Sequence, residues 1–207
     1  MITKPMDVLT CYEVRKSTKQ KTAFITAVTA YVTALRYSCK VEKGSLGSRN
    51  IIIGDPAKAK YLITAHYDTP PMMLFPNFIT PCNIFIYLLY QIVFTVCIIF
   101  FALVIGWTTA QLINPDLYIP LSAVYAYILL FLMLIGPANQ HTANDNTSGV
   151  ATILGLIDKF DSKKDKVALI LFDYEEVGLI GSSYFASTHK EVAKNKLVVN
   201  FDCVSDG

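Results

Sequence analysis

The chain has 207 residues, of which 53% are hydrophobic and only 16% are charged, and its net charge at pH 7 is +2. The length predicts a single domain with a core of its own, whereas the charged fraction lies well below the roughly 25% typical of soluble domains. The small, dispersed net charge excludes a nucleic-acid-binding protein that relies on a basic surface. Five cysteines without a C-x-x-C pair indicate free thiols in a reducing compartment.

The first third of the chain carries the patterns of one helix and three strands. Ser17 and Gln20 form a capping box ahead of an amphipathic helical segment. Residues 38–42 and 50–53 predict the two strands of a β-hairpin, because a glycine-containing turn separates them. Residues 61–65 predict a buried strand that delivers the next residue, a histidine, at its end.

Two apolar runs follow, at residues 84–107 and 117–136, and each has the length of about 20 residues that a helix needs to cross a bilayer. Asp116 is the only charged residue between Asp68 and Asp145. We therefore predict a two-pass transmembrane hairpin in contact with the lipid bilayer; a pair of buried core helices is the less favoured alternative. All lysines and arginines lie outside the hairpin, so the polar domain is expected to face the cytoplasm.

The last third alternates between strand and helix patterns. Residues 150–157 predict a helix, residues 167–172 a continuous apolar strand, and residues 178–187 a loop that runs into a short helix. Residues 197–201 predict another buried strand. The fold class is therefore α/β, with a mostly parallel central sheet, flanking helices and an antiparallel N-terminal portion, interrupted by the two-helix transmembrane hairpin.

Polar residues of the types that bind zinc are concentrated in four short clusters, and three of these clusters close a predicted strand. The clusters are residues 66–68, 144–149, 173–176 and 200–202. Ligands of open α/β sheets bind in the crevice beyond the carboxyl ends of the strands, so the fold brings distant clusters together. The sequence therefore predicts a metal site at this edge of the sheet.

The clusters supply one histidine, one loop aspartate, two adjacent glutamates and one aspartate at a strand end. Catalytic zinc binds histidine nitrogen and carboxylate oxygen and keeps one position open for water. Two zinc ions close together need a bridging carboxylate, and a separate carboxylate must carry the proton. This is nearly the inventory of a di-zinc hydrolase.

The motifs His-x-Asp, Asp-Asn-x-Ser-Gly, Glu-Glu-x-Gly and a strand-end Asp occur in this order. In these motifs the chain resembles the di-zinc metallopeptidases of the aminopeptidase Y and bacterial leucyl aminopeptidase type, whose relatives include glutamate carboxypeptidases and glutaminyl cyclases. The resemblance runs from about residue 50 to the C-terminus, apart from the hairpin. It implies a zinc-exopeptidase-like fold, two zinc ions and a peptide substrate hydrolysed by a metal-bound hydroxide.

The resemblance also implies a role for each motif residue. His66 and Asp202 would hold one zinc, Glu176 the other, and Asp145 would bridge the two ions. Taken singly, each has a plainer explanation, such as a helix cap for Asp145.

Two further residues would act beside the ions. The resemblance makes Glu175 the general base and gives Asp68 the task of orienting the metal-bound histidine. His141 and His189 are not expected to be ligands, because one lies in the linker leaving the membrane and the other in a polar stretch.

The chain departs from the family pattern at its end, because it stops at residue 207, before the late histidine that completes the second zinc site. We therefore expect a truncated version or fragment, with residues 1–80 as the first part of a peptidase domain, 81–138 as the hairpin insertion and 139–207 as an incomplete continuation. Two rivals stay open: a catalytically impaired relative that acts as a membrane-tethered binding protein, and a small transporter subunit. The second is disfavoured because the spans contain no ionisable residue.

Overall fold

The computed structural model describes residues 2–72, 83–157, 159–160 and 165–204. The chain forms two compact units, one made of residues 1–70 and 138–207 and the other of residues 71–137. The predicted boundary after residue 80 lies outside the described residues, and the predicted division into domains stays a prediction.

The described residues form seven α-helices and five strands, numbered here in chain order. The helices are α1 Asp7–Cys11, α2 Thr18–Ala34, α3 Ile84–Ile113, α4 Tyr118–Ile135, α5 Gly149–Leu156, α6 Ile180–Thr188 and α7 Lys190–Asn195. The strands are β1 Cys39–Lys43, β2 Arg49–Ile53, β3 Tyr61–His66, β4 Val167–Phe172 and β5 Leu197–Asn200.

The first unit is built on one mixed sheet with the strand order β1-β2-β4-β3-β5. Strand β3 runs parallel to both β4 and β5, whereas β2 is antiparallel to β1 and to β4. The expected α/β class, with a parallel part and an antiparallel N-terminal part, is thereby confirmed. The parallel part matters for function, because it places the carboxyl ends of β3, β4 and β5 at one edge of the sheet.

Helices cover both faces of this sheet. On one face, α2 and α5 share an apolar cluster with alternate strand residues such as Ile51 and Leu169. On the other face, Phe185 of α6 packs against the intervening residues, such as Ile52 and Ile170. The side-chain period of two residues along a strand divides each strand between the two layers.

The capping box predicted at the start of α2 is confirmed. The Ser17 hydroxyl accepts a hydrogen bond from the Gln20 amide, and the Gln20 side chain accepts one from the Ser17 amide. Two of the amide groups that a helix start leaves without partners are thus satisfied by side chains.

The expectation that residues 197–201 form a buried strand is wrong in its burial. Strand β5 forms, but all four residues are exposed, with Leu197 at 61% and Val199 at 41%. In the described part of the chain, β5 pairs only with β3 and lies at the edge of the sheet. An apolar run has the same appearance in the sequence whether its strand is central or at an edge.

The second unit consists of α3 and α4, joined by a short 3-10 turn at Pro115–Leu117. Both helices are long and apolar enough to cross a membrane, by length and composition only. Small residues let the two helices approach closely, since a side chain at Gly106 would collide with Ser122. The Thr109 and Tyr125 hydroxyl groups lie 3.1 Å apart, within hydrogen-bonding distance of each other.

Candidate metal centre

His66 is the last residue of β3 and lies at the edge of the sheet where the parallel strands end. It faces Phe172 of β4 in the strand register, so the 173–176 segment begins beside it. Strand β5 brings Asp202 to the same edge, because pairing continues to the Phe201 amide, which donates to the Thr64 carbonyl at 2.7 Å. The sheet topology therefore assembles residues that are far apart in the sequence.

Two overlapping groups of possible ligands converge on His66. Its Nε2 atom lies 3.1 Å from Asp145 Oδ1 and 3.6 Å from Asp202 Oδ1. The ligand atoms of these three residues lie within 4.8 Å of one another, and so do those of His66, Glu175 and Glu176. The structure thus brings together all four residues that the resemblance assigns to metal, together with the expected base.

Asp68 is buried beneath this cluster and contacts both its histidine and its glutamates. Its Oδ1 atom lies 3.6 Å from Nδ1 of His66. The same carboxylate accepts hydrogen bonds from the backbone amides of Glu175 and Glu176, at 3.0 and 3.2 Å. Asp68 therefore fixes the direction of the glutamate pair as well as facing the histidine.

The segment that carries Asp145 is held by its neighbour Asn146, which is fully buried. The Asn146 side chain donates to the Phe201 carbonyl at 2.9 Å and accepts from the Gly149 amide at 3.1 Å. A side chain at Gly149 would lie within 2.6 Å of both Asn146 and the Phe201 carbonyl, so only glycine fits there. The peptide bond between Asp145 and Asn146 is cis.

Asp173 belongs to the third polar cluster of the sequence, yet it is in neither ligand group. It is buried and forms an ion pair with Lys21 of α2, whose ammonium also lies 3.8 Å from the centre of the Tyr174 ring. Its carboxylate accepts a further hydrogen bond from the Arg49 amide at 3.0 Å. This pair anchors the start of the segment that carries Glu175 and Glu176.

The electrostatics of the site are dominated by carboxylates around one imidazole. Burial tends to lower the pKa of His66, but its interactions with the carboxylates of Asp145, Asp202 and Asp68 outweigh burial and raise the pKa to about 12. Burial, followed by repulsion from Asp145, raises the pKa of Glu176 to about 8. Burial also raises the pKa of Glu175. Without a cation, this cluster retains protons.

The donor set fits zinc. One of its buried atoms, Oε1 of Glu176, has no hydrogen-bond partner in the described structure, although buried polar atoms normally have one. Histidine nitrogen and carboxylate oxygen are ligands that zinc takes in catalytic sites. A dication would also offset the repulsion among the carboxylates.

The other two histidines lie elsewhere. The His189 ring contacts the Glu42 carboxylate, with 2.9 Å between Nε2 and Oε1, and packs on Phe185. His141 is exposed, and its amide donates to the Asn139 side chain. Neither belongs to a group of possible metal ligands in the described part of the chain.

Residues 125–207 match the model of peptidase family M28. The matched segment contains Asp145, Glu175, Glu176 and Asp202, and β3 brings His66, which lies outside it, to the same site. The resemblance to the M28 peptidases is confirmed. No curated protein matches the chain.

Several solved structures share the fold of this chain at low sequence identity. Glutaminyl cyclase of Porphyromonas gingivalis aligns with 18% identity and a TM-score of 0.51, over 93% of this chain and 56% of its own. The LapA aminopeptidase of Legionella pneumophila aligns with 16% identity and a TM-score of 0.53, over 96% of this chain and 41% of its own. A leucine aminopeptidase precursor of Bacteroides thetaiotaomicron aligns with 16% identity and a TM-score of 0.52, over 93% of this chain and 58% of its own. The chain therefore spans about half the length of these solved structures.

Sequence reasoning missed the cations that support the site. Lys21 and Arg15 lie in a polar N-terminal stretch whose composition is that of an exposed surface. Both are nevertheless buried. Lys21 pairs with Asp173, and Arg15 reaches Tyr67, Thr69 and Thr147 in addition to two carbonyls near it in the chain, so the partners that bury them are more than 50 residues away. The one signal that could have found Lys21 is its place on the same helical face as Phe24 and Val28.

Proposed function

We propose that the chain carries the metal centre of an aminopeptidase-like zinc exopeptidase, anchored in a membrane by α3 and α4. The observation that carries the proposal is the convergence of His66, Asp145 and Asp202 within 4.8 Å, with Glu175 in the overlapping group. Three protein ligands beside an open position are what a catalytic zinc requires.

In this proposal His66 and Asp202 would hold one zinc and Glu176 a second, and Asp145 would be shared by the two. The ions would supply Lewis-acid chemistry at this site, which activates water and polarises a carbonyl. The described residues offer three ligands to the first ion but only Glu176 and the shared Asp145 to the second. We therefore expect the first ion to be held more tightly than the second.

Glu175 moves the proton. It is half-buried, and burial raises the pKa of its carboxyl, which brings a general base closer to the pH at which it works. Glu175 takes the proton of the attacking water and delivers it to the leaving amine. The hydrogen bond from its amide to Asp68 keeps the backbone fixed while its protonation state changes. Asp68 thus positions the base.

The proposed substrate is a short peptide, cleaved at its amino end. Among the solved structures that share the fold, two are named aminopeptidases and two are named glutaminyl cyclases, so the choice of aminopeptidase follows the motifs of the sequence. Cyclase chemistry, and the carboxypeptidase chemistry that the motif resemblance also implies, are the alternatives on the same metal centre.

The membrane anchor rests on the second unit. Its helices expose apolar side chains along most of their length, and Asp116, in the turn between them, is the only charged residue of this unit in the described structure. Such a surface is unfavourable in water and suits lipid. Because all lysines and arginines lie outside it, we place the metal centre at the cytoplasmic face.

The experiment that tests the proposed chemistry compares Glu175→Gln with Glu191→Gln, an exposed glutamate of α7. Both variants keep the size of the side chain and lose one carboxylate. Glu175→Gln is expected to reduce peptide hydrolysis by at least about 100-fold, since positioned proton transfer contributes 10² to 10⁴. Zinc content should stay at the wild-type level in both. Near wild-type turnover in Glu175→Gln would remove Glu175 from the mechanism.

One observation favours a second candidate function, a catalytically impaired relative that acts as a membrane-tethered binding protein. Among the described residues, the group that contains Glu176 shares its one histidine, His66, with the group proposed for the first metal. Zinc-loaded wild-type protein that binds peptides but hydrolyses none of them would support this function over the first.

A further inference from the structure

Arg15 has no solvent exposure, which is rare for an arginine. Its guanidinium donates to the carbonyls of Tyr67, Tyr12 and Glu13, and to the hydroxyl of Thr147 at 3.0 Å. The backbone amide of Arg15 adds a hydrogen bond to the Thr69 hydroxyl at 2.8 Å. All of these acceptors are neutral groups. A buried charge that is satisfied in this way costs free energy, so its retention calls for a reason.

Three of these acceptors, on Tyr67, Thr69 and Thr147, lie on two segments that supply proposed zinc ligands, and the other two are carbonyls close to Arg15 in the chain. Tyr67 stands between His66 and Asp68, and Thr147 is two residues after Asp145. One side chain therefore connects the exit of β3 to the segment that precedes α5. The guanidinium also lies 5.4 Å from the centre of the Phe24 ring of α2, and this ring stacks on Tyr67 at 5.2 Å.

The charge of Arg15 is directed at the same two segments. Burial lowers the pKa of its guanidinium to about 10, opposed chiefly by attraction to Asp68, so the group stays charged at neutral pH. Lys21, the other buried lysine or arginine of the described chain, is already paired with Asp173. Arg15 is thus the buried side chain with a permanent charge that is left to support the carboxylates of the metal centre from behind His66 and Asp145.

We propose that Arg15 is a positioning residue that locks the 66–69 and 145–147 segments together in the geometry that binds metal, before metal arrives. The proposal rests on the proposed function, because it assigns Arg15 to the assembly of that zinc site. A preorganised ligand set binds metal more tightly, since less order has to be created on binding.

The geometry requires arginine rather than any cation. A guanidinium presents five N–H donors in a rigid plane, and here three nitrogens reach four acceptors on three segments. A lysine ammonium is a compact point charge on a flexible stem and cannot span them. Arg15→Lys therefore preserves the charge and removes the connection.

Amide hydrogen exchange on the metal-free full chain in detergent tests the lock directly. Four amides report on it: those of Thr147 and Gly149, bonded to Thr142 and Asn146, and those of Glu175 and Glu176, bonded to Asp68. We compare the exchange rate of each amide in Arg15→Lys with its rate in wild type. The four site amides should accelerate at least about tenfold more than the amides of β4, because local opening has its own free energy.

The matched control for this experiment is Val28→Ala, which removes two methyl groups from the core face of α2. Val28→Ala lowers the stability of the first unit without altering a residue that contacts the site. The amide exchange rates of this variant should therefore rise by a similar factor throughout the first unit. Equal, uniform acceleration in Arg15→Lys and Val28→Ala would overturn the proposal, because Arg15 would then serve only general stability.

Zinc dissociation into excess chelator provides the second measurement. Arg15→Lys should release zinc about 10- to 100-fold faster than wild type, the usual effect of removing a group that orients metal ligands. Val28→Ala should release it at the wild-type rate. If Arg15→Lys does not fold, Thr147→Val removes one acceptor and should accelerate both zinc release and exchange at Thr147 and Gly149. Unchanged rates in the folded variant would overturn the proposal.

The two measurements, amide exchange of the metal-free protein and zinc release, distinguish a failure of this inference from a failure of the proposed function. Wild-type protein that binds no zinc contradicts the proposed function, whereas the exchange pattern of the metal-free protein still decides the role of Arg15. Zinc bound by wild type with unchanged exchange and release in Arg15→Lys leaves the proposed function standing and removes Arg15 from it.

Discussion

At the scale of single residues, the candidate metal centre consists of one imidazole facing several carboxylates. Zinc binding at this site is coupled to the release of protons from these groups. The pKa of His66 is raised to about 12, so its imidazole is protonated at pH 7 in the metal-free protein. The pKa of Asp202 is lowered, first of all by its interaction with His66, so this carboxylate is already ionised. Zinc can bind His66 only after displacing a proton.

We therefore predict that uptake of the first zinc at pH 7 releases about one proton, and that zinc affinity rises about tenfold per pH unit between pH 6 and 9. The sign follows from the raised pKa: the proton competes with zinc throughout this window, and less so as the pH increases. Titration calorimetry in two buffers of different ionisation enthalpy measures the proton count. His189→Ala, which alters a histidine outside the site, should leave the count unchanged, and zinc uptake without proton release would contradict the account.

The convergence of the proposed ligand residues could be predicted from the sequence, because each motif directly follows a strand or precedes a helix. His66 closes β3 and Asp145 lies just before α5, so local patterns predict where they project. The supporting residues could not be predicted in this way. Lys21 meets Asp173 across 152 positions and Arg15 meets Thr147 across 132, and no local pattern specifies such a pairing.

At the scale of secondary-structure elements, β5 differs from its neighbours. Leu197 of β5 and Leu169 of β4 both belong to strands that pair with β3, yet Leu197 is 61% exposed and Leu169 is 2% exposed. The sequence cannot distinguish these positions, because both lie in apolar runs that contain leucine and valine. An apolar edge strand of this kind favours association with other chains.

We predict that Leu197→Lys changes the free energy of unfolding by less than about 1 kcal/mol and reduces self-association, because the site is exposed and charge protects strand edges. Leu169→Lys, the matched change in the centre of the sheet, should prevent folding, because it buries an unpaired charge. Denaturant unfolding in detergent and sedimentation velocity measure the two effects. A loss of several kcal/mol in Leu197→Lys would show that β5 is covered in solution.

At the scale of the whole molecule, the two units are each continuous in space although the first is interrupted in sequence. The chain leaves the first unit after Pro70 and returns at Ala138, and the Asn139 amide donates to the Pro70 carbonyl at 2.9 Å. The ends of the interruption therefore meet. Such an arrangement is typical of an insertion that a host fold tolerates, because the loop closes without distorting the elements around it.

We predict that replacing residues 72–137 by a short glycine-serine turn leaves the first unit folded and removes its attachment to the membrane. The full chain should resist alkaline carbonate extraction of membranes, because α3 and α4 are long enough to span the bilayer. The shortened chain should be extracted and should keep its zinc. A shortened chain that still resists extraction would contradict the assignment of the anchor to α3 and α4.

The most direct test of the central claim is the zinc content of the full chain, purified in detergent and dialysed against trace zinc, measured by elemental analysis. The account predicts one tightly held zinc per chain, because His66, Asp145 and Asp202 form a three-ligand set, whereas the other group shares His66 with it and includes Glu175, the proposed base. Asp145→Ala should lose this zinc and His189→Ala should keep it. Wild-type protein without zinc, or Asp145→Ala with its full zinc content, would contradict the account.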